Sequence, residues 1–537
     1  MSGPIQVPSL DEHVFSRFDE VAAREWDYVM IGAGCTGTIT AHKILERQPE
    51  ARVLLLEQGP HLLPDHVQNL RSAYQPLMTA ATASPWRSDG DLEIVPQVPY
   101  LGGRTLFWSG STPQPSLAQL RGWPSEVIGE LEREWVEARE LLGVHRASDV
   151  GREFSNLHRQ LRYRIHVGAV ELPYIRLPES EAELDAPLSL APGGTDGRRK
   201  FSAVPLLLST LARHPGTAAL VTRCQALTLT SAGSTVTSVE TTAGTLPVCG
   251  ARVILALGTT EATGLVLRSF PPDLIPLAGT NLAGNTATWF SCRLPRSEFR
   301  SLSQTHPDLA ALYVDAGTSD REFHLHVSAS STAEPDRDIE EVYRLMPDVF
   351  GEGTIQRMCD RDHVILLVHG LAELAADRAA KSSSRITAGT DGITVGTFRL
   401  GSSDWAVWDA MDAVAAQLVD IVAHGAKADF WSPSEESWVQ APPPERRMRF
   451  AVHETGTLWM GSHPDHSVTD TNGRLHAMDN VYVTGGATFP TRGSWNPMLT
   501  MTALCLRLAR HLTGNGCRTR SVTGDQPLIA DGIMAAQ

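Results

Sequence analysis

The 537-residue chain has no CxxC pair and no cysteine–histidine spacing of the zinc type, which excludes a disulfide scaffold and a zinc module. Its seven cysteines (35, 224, 249, 292, 359, 505, 517) are scattered and odd in number. Cys35 and Cys505 sit in apolar helical contexts and read as buried thiols, which suits a reducing cytoplasm. No apolar run approaches the roughly 18 residues that a spanning helix needs, so no membrane partner is expected. The first twenty residues lack a basic start followed by an apolar run, so no signal peptide is expected and the cytoplasm is the expected compartment. Internal repeats and long low-complexity tracts are also missing. An excess of positive charge is lacking: the formal net charge of −15 argues against nucleic acid. The acidic balance suits a cationic substrate, although solubility alone accounts for it. What is present is an ordinary globular composition, 42% apolar and 20% charged, long enough for roughly two to four domain-sized units.

Residues 27–59 read as one β-α-β unit. Asp27–Ile31 is a buried strand, followed at once by Gly32-Ala33-Gly34-Cys35-Thr36-Gly37 and a helix to about Arg47 with Ile39, Ile44 and Leu45 inward. A second strand, Arg52–Leu56, ends in Glu57. Gly32 permits the tight turn, Gly34 admits a pyrophosphate to the backbone, and Gly37 lets helix and strand pack closely. Free amides at the helix start, around Cys35 and Thr36, would hold a diphosphate. Glu57, 20 residues past Gly37, is placed to accept from a ribose hydroxyl. A lone GxGxxG says little; strand, glycines, helix, strand and terminal acid in register point to a dinucleotide.

Residues 60–100 are irregular and read as an excursion. In Tyr100–Pro113, Gly102 and Gly103 stand beside Thr105, Trp108 and Ser109. The pattern fits backbone pressed against a flat ligand, or equally a structural Gly-rich turn. Helices are expected over 116–145 and 201–215, and a surface loop over 176–200. Short strands follow over 218–258, and the buried run Arg252–Leu257 enters a turn at Gly258, a second point of backbone approach. Over 285–435, alternating runs (Trp289–Arg293, Phe323–Ser328, Val364–His369, Ile386–Thr397) predict an antiparallel sheet, and 404–424 an amphipathic helix with Trp405, Trp408, Met411, Val414, Leu418 and Ile421 inward. Residues 433–446 read as a linker and the chain beyond Thr513 as a disordered tail.

The stretch His453–Arg510 carries the polar groups of interest. His453 stands in HETGT, read as a tight Gly/Thr turn; then come a strand (Val481–Val483), the pair Gly485-Gly486, and Asn496-Pro497 opening a helix. Taken alone, His453 is a hydrogen-bonded structural residue and Asn496 an N-cap. Found together with a dinucleotide fingerprint they point to catalysis, and the Asn oxygen could cap while its NH2 faces a substrate. His463 and His466 fit no metal spacing and have no third ligand nearby, so no metal is expected.

With VLLLEQGP, GGRTLFWSGSTP, RVILALGTTEATGLVL, HETGTLWMG and NPMLTMTAL in hand, the chain resembles the glucose-methanol-choline (GMC) family of flavin oxidoreductases over about 26–60, 100–115, 218–265 and 447–512. GGRTLFWSGSTP and TGGATFPTRGSWNP are most similar to the pyranose oxidase branch, as is glycine at 485 where most relatives carry Asp. The resemblance implies an α/β fold: a Rossmann-like FAD-binding domain (20–284 and 440–515) with an inserted α+β substrate domain on an antiparallel sheet (285–439) and a tail (516–537). It implies FAD contacts at the glycines above and at Thr105, Trp108, Gly485, Gly486, Pro497 and Met498. Ser109 takes the place of a hydroxyl residue facing the flavin N5. Phe107 stands where pyranose oxidases carry the histidine bonded to flavin, so FAD is expected to be non-covalent.

By the same resemblance His453 is the base that takes a hydroxyl proton, a role that histidine's reference pKa of about 6.5 suits. Asn496 is the second polar partner of the substrate oxygen. The implied reaction is oxidation of a sugar, aminosugar or polyol hydroxyl, with hydride passing to FAD. Two other readings stay open: a lyase of the same fold with His453 as acid/base and no net redox, and a non-catalytic FAD-binding module, against which the His453/Asn496 pair speaks.

Overall fold

The computed structural model describes residues 15–192, 198–347, 356–376 and 384–514. The tail expected at 516–537 lies outside them. The first half supplies β1 (Tyr28–Ile31), α1 (Cys35–Arg47), β2 (Val53–Leu56), β3 (Ala218–Val221), β4 (Arg252–Leu255) and α2 (Gly258–Ser269). The middle supplies β5 (Ala283–Pro295), β6 (Asp308–Gly317), β7 (Glu322–Ser331), β8 (His363–Leu374), α3 (Ser402–Ala423), β9 (Asp429–Ser432) and β10 (Ser437–Val439). The end supplies β11 (Phe450–Thr455), β12 (Val481–Val483) and α4 (Met498–Thr513).

One sheet is parallel, ordered β12-β4-β1-β2-β3. Every residue of β1 and β2 is buried, as helices on both faces require of a parallel sheet. Val29, Ile31, Leu54 and Leu56 pack on one side with Leu265 and Val266 of α2. Tyr28, Met30, Val53 and Leu55 pack on the other with Ile44 and Leu45 of α1 and Leu508 of α4. Close helix–sheet contact at the start of α1 needs a missing side chain: a Cβ on Gly37 would stand 2.0 Å from the Gly32 carbonyl oxygen.

The second sheet is ordered β6-β7-β8-β5-β9-β10 and is antiparallel along that path, with β11 pairing on β5 and the short strand Glu93–Ile94 pairing parallel to β11. Its two faces differ. Leu312, Val314, Leu325, Val327, Leu366, Val368 and Phe290 face Met411, Val414 and Leu418 of α3 and Leu157 and Leu161 of the helix Asn156–Gly168, in one apolar core. The opposite face carries Tyr313, His326, His369 and Trp289 in register across four strands. The expected fold class, a parallel α/β unit joined to an antiparallel sheet, is found.

Four local readings are corrected. The helix expected from 116 starts at Ser125, and Leu117 is 65% exposed, because Pro124 and the turn before it interrupt the pattern. Residues 176–200 do not form a plain surface loop: Leu184, Ala186, Leu188 and Leu190 are buried, and Pro187–Ser189 pairs as a strand with Val144–Arg146. Trp405 does not face inward but stands exposed, stacked on the buried Trp408. Cys505 is buried as expected, whereas Cys35 is only partly so; the six cysteines among the described residues are free.

Candidate active site

One cavity of about 620 Å³ runs along the C-terminal ends of the parallel strands and reaches the polar face of the antiparallel sheet. That volume lies in the range of cofactor and ligand clefts. Of the residues singled out in the sequence, Gly32, Gly34, Cys35, Thr36, Glu57, Gly103, Thr105, Trp108, Ser109, Gly258, Gly485, Gly486, His453, Asn496, Pro497 and Met498 line it. Gly37 and Gly102 do not. Gly37 serves helix packing, and Gly102 takes φ +92° beside Val204.

At the first end the wall is backbone. Helix α1 begins at Cys35 with no side-chain cap, so its first-turn amides are open to the cavity. The Cα of Gly34 lies only 3.4 Å from where a Gly103 Cβ would be, so two bare backbones form a notch. Glu57 sits behind it: one carboxylate oxygen accepts from Ala33 N and the other from Gly59 N, each at 3.0 Å. Burial pushes its carboxyl up from the ordinary value. The carboxylate keeps acceptor capacity for a ribose hydroxyl. An uncapped helix start, a glycine notch and a buried acceptor fit the dinucleotide part of FAD. Thr105 contributes only its body, since its hydroxyl donates to Gly102 O and accepts from Ala203 N. Cys35 and Met498 meet sulfur to sulfur at 3.3 Å.

The other end gathers the polar side chains. His453 is not in a turn. It belongs to β11, at a bulge: Ala283 pairs with Thr455 but Asn285 with Val452, so β11 threads one more residue than β5. The extra residue puts His453 at φ +57°, a left-handed conformation costing a non-glycine residue about 1–2 kcal/mol. The strain re-aims the imidazole into the cavity. The bulge is held on both sides: Thr259 of α2 donates to Glu454 O at 2.6 Å, Gly456 N donates to Gly486 O at 3.0 Å, and the Glu454 carboxylate pairs with Arg104 at 2.8 Å. His453 Nδ1 lies 3.0 Å from Asn285 Oδ1. Burial, then the charge of Arg492, pushes the imidazole well below its ordinary pKa.

Asn496 does not cap α4. The N-cap is Pro497, with no side-chain bond, and the Asn496 amide oxygen lies 3.0 Å from His326 Nε2 instead. His326 Nε2 also lies 3.0 Å from His324 Nε2. His324 is fully buried and held far below its ordinary pKa, first by desolvation and then by the histidines around it. In the adjoining strand His369 lines the cavity, with its ring stacked on Trp289 at 5.2 Å.

Asn285, Trp289, His324, His326, His369 and Arg492 were not singled out in the sequence. A readable signal existed for two: His324 and His326 are two apart in an alternating strand, hence on one face. Nothing local marks Asn285 or Arg492, because their partners are 168 and 207 residues away.

The profile described as GMC oxidoreductase matches residues 380–505. A 6'''-hydroxyparomomycin C oxidase of Streptomyces lividus is 24% identical over 92% of both chains. A paromamine 6'-oxidase of Streptomyces fradiae is 42% identical over 65 residues, 12% of each chain. The crystal structure of pyridoxine 4-oxidase from Mesorbium loti superposes with a TM-score of 0.60 at 17% identity, covering 91% of this chain and 99% of that one, and shows the shared fold. The glycine notch, the two sheets and the matched C-terminal segment thus agree: residues 380–505 match the GMC oxidoreductase family, a family of flavoprotein enzymes, and the chain as a whole is similar to its members.

Proposed function

We propose that this protein oxidises a hydroxyl of a sugar, aminosugar or polyol-like substrate to a carbonyl, with His453 and Asn496 as its catalytic residues. The observation that carries the reading is that one cavity is lined by the glycine notch at one end and by the His453/Asn496 pair at the other. His453, kept neutral by burial, takes the hydroxyl proton. Asn496 holds the substrate oxygen through its amide. FAD, which the glycine notch and Glu57 would hold, would supply the hydride acceptor for the carbon that bears this hydroxyl. The stacked Trp289 and His369 offer a flat wall suited to a sugar ring. Relatives named 6'''-hydroxyparomomycin C oxidase and paromamine 6'-oxidase support the sugar-like class, and a cationic aminosugar is the substrate we favour.

FAD is held non-covalently in this reading. Phe107 lines the cavity and offers no nucleophile, so acid precipitation should leave all flavin in the supernatant. The working division is an FAD-binding unit (20–284 and 440–515) and a substrate unit (285–439), to which we add 87–94 and 144–190, since these pack on the antiparallel side. Free cysteines support a cytoplasmic setting.

The test is anaerobic mixing of the holoenzyme with a panel of aminoglycosides, aminosugars and cyclitols. The flavin absorbance should bleach with one class. No bleaching by any alcohol overturns the reading, and turnover with an unchanged flavin spectrum makes the protein a lyase.

A further inference from the structure

We propose that Asn285 is a positioning residue that locks His453 as the tautomer protonated on Nδ1 and so keeps a lone pair on Nε2. The inference rests on the assignment of His453 as base and goes beyond it to what sets its protonation. Asn285 makes four contacts, and they fix which way its amide points. Its Oδ1 faces Arg492 Nη2 at 2.9 Å and His453 Nδ1 at 3.0 Å. Its Nδ2 faces the Ala372 carbonyl at 3.3 Å and the Gly493 carbonyl at 3.2 Å. A guanidinium only donates and a backbone carbonyl only accepts. A flipped amide would set donor against donor at Arg492 and oxygen against two carbonyl oxygens, so the flip is forbidden by chemistry.

The atom facing His453 Nδ1 is therefore an acceptor, and Nδ1 must carry the proton. In a neutral imidazole the other nitrogen is then bare. Nε2 has no hydrogen-bond partner among the described residues, and the ring lines the cavity. The clamp is neutral, and that matters as much as its direction. A carboxylate there would stabilise the imidazolium and hold the proton after transfer. The charges around the ring point the other way: Arg492, Arg104 and the imidazoles of His369 and His326 all oppose its protonation. Across the strand pair from Asn285 stands Glu373, whose carboxylate accepts from Glu322 N and is not bonded to His453. A base built this way takes a proton from the substrate and gives it up readily.

The test needs two readouts. Histidine 15N spectra of the wild-type holoenzyme, with the His453 signals assigned by their loss in His453→Gln, should show a protonated Nδ1 and a bare Nε2 from pH 6 to 8. A protonated Nε2, or titration near the ordinary histidine value, overturns the proposal without any substituted clamp having to fold. In Asn285→Leu, which removes the acceptor at similar volume, the spectra should shift toward the Nε2-protonated form. Flavin reduction should slow about 100-fold with FAD content unchanged and substrate saturation within a few-fold. Asn285→Leu that reduces flavin at the wild-type rate overturns the proposal. If no substrate in the panel bleaches the flavin, the functional reading fails while the tautomer result still stands or falls separately.

Discussion

The two sheets deliver functional groups in different ways. The parallel sheet is buried on both faces, so nothing polar can come from its strands. It acts through its ends, where β1 gives way to the glycine turn, β2 to Glu57, β4 to Gly258 and β12 to Gly485. The antiparallel sheet is apolar throughout on one face, while on the other a smaller apolar cluster (Leu309, Ala311, Ile365, Leu367) stands beside a polar row. It acts through the other face, where side chains from four strands align into a row. An end is built from backbone and suits a cofactor common to many enzymes. A face is built from side chains and can vary one residue at a time, which is what substrate choice needs.

The sharpest break of this comparison is His453→Ala. His453 sits where the two modes meet, on a strand of the second sheet but tied to α2 and the Gly486 turn of the first. Stopped-flow reduction should slow by about 1,000-fold, near 4 kcal/mol of barrier, with FAD retained because the notch is untouched. Unchanged reduction would remove His453 from the chemistry. On the apolar face, Leu325→Ala should lower unfolding stability by about 3 kcal/mol, as for a fully buried leucine, with little change in the reduction rate of folded enzyme. If that change instead abolished reduction at full stability, the two faces would not be separable.

On the polar face, His326→Leu should cost somewhat less, about 100-fold in reduction, because Asn496 loses the donor that orients its amide oxygen. His326→Gln should recover most of it, since a glutamine NH2 can reach where Nε2 stood. Equal loss in both variants would mean that the ring itself, not its donor, matters.

The same contrast decides what was legible in the sequence. Turn glycines, a strand-end acid and apolar periodicity are local signals, so the β-α-β unit and the helix over 404–424 could be read directly. The antiparallel sheet was readable from alternation, except that the run Ile386–Thr397 joins a separate three-stranded sheet with Arg87–Gly90. Its register was not, because Tyr313, His326, His369 and Trp289 meet only once strands 13 to 80 residues apart pair. His453 and Asn496 were found through motif resemblance, but their settings were misread. A bulge and a strained φ depend on how β11 pairs with β5, and the N-cap role of Asn496 gave way to a histidine 170 residues away.

Glu373 tests what a polar face costs. It is buried, accepts from Glu322 N at 3.4 Å, and desolvation raises its carboxyl to about 7 from an ordinary 4.5. Between those values the folded protein binds a proton that the unfolded chain has released, so this group's contribution to stability falls as pH rises from 4.5 through 7. Glutamine copies the protonated form at every pH. Glu373→Gln should therefore match the wild type near pH 4.5, gain on it steadily, and level off above pH 7 at roughly 3 kcal/mol, read as a growing difference in Tm. Asp315, raised to about 6 mainly by burial, is present in both proteins and cancels. Glutamine less stable than glutamate at pH 8 would give the opposite answer: the carboxylate is retained as the counter-charge of Arg492, and removing it leaves a buried guanidinium unpaired. The sign of that one difference separates a residue kept for the stability of the face from one kept at a cost for the site it supports.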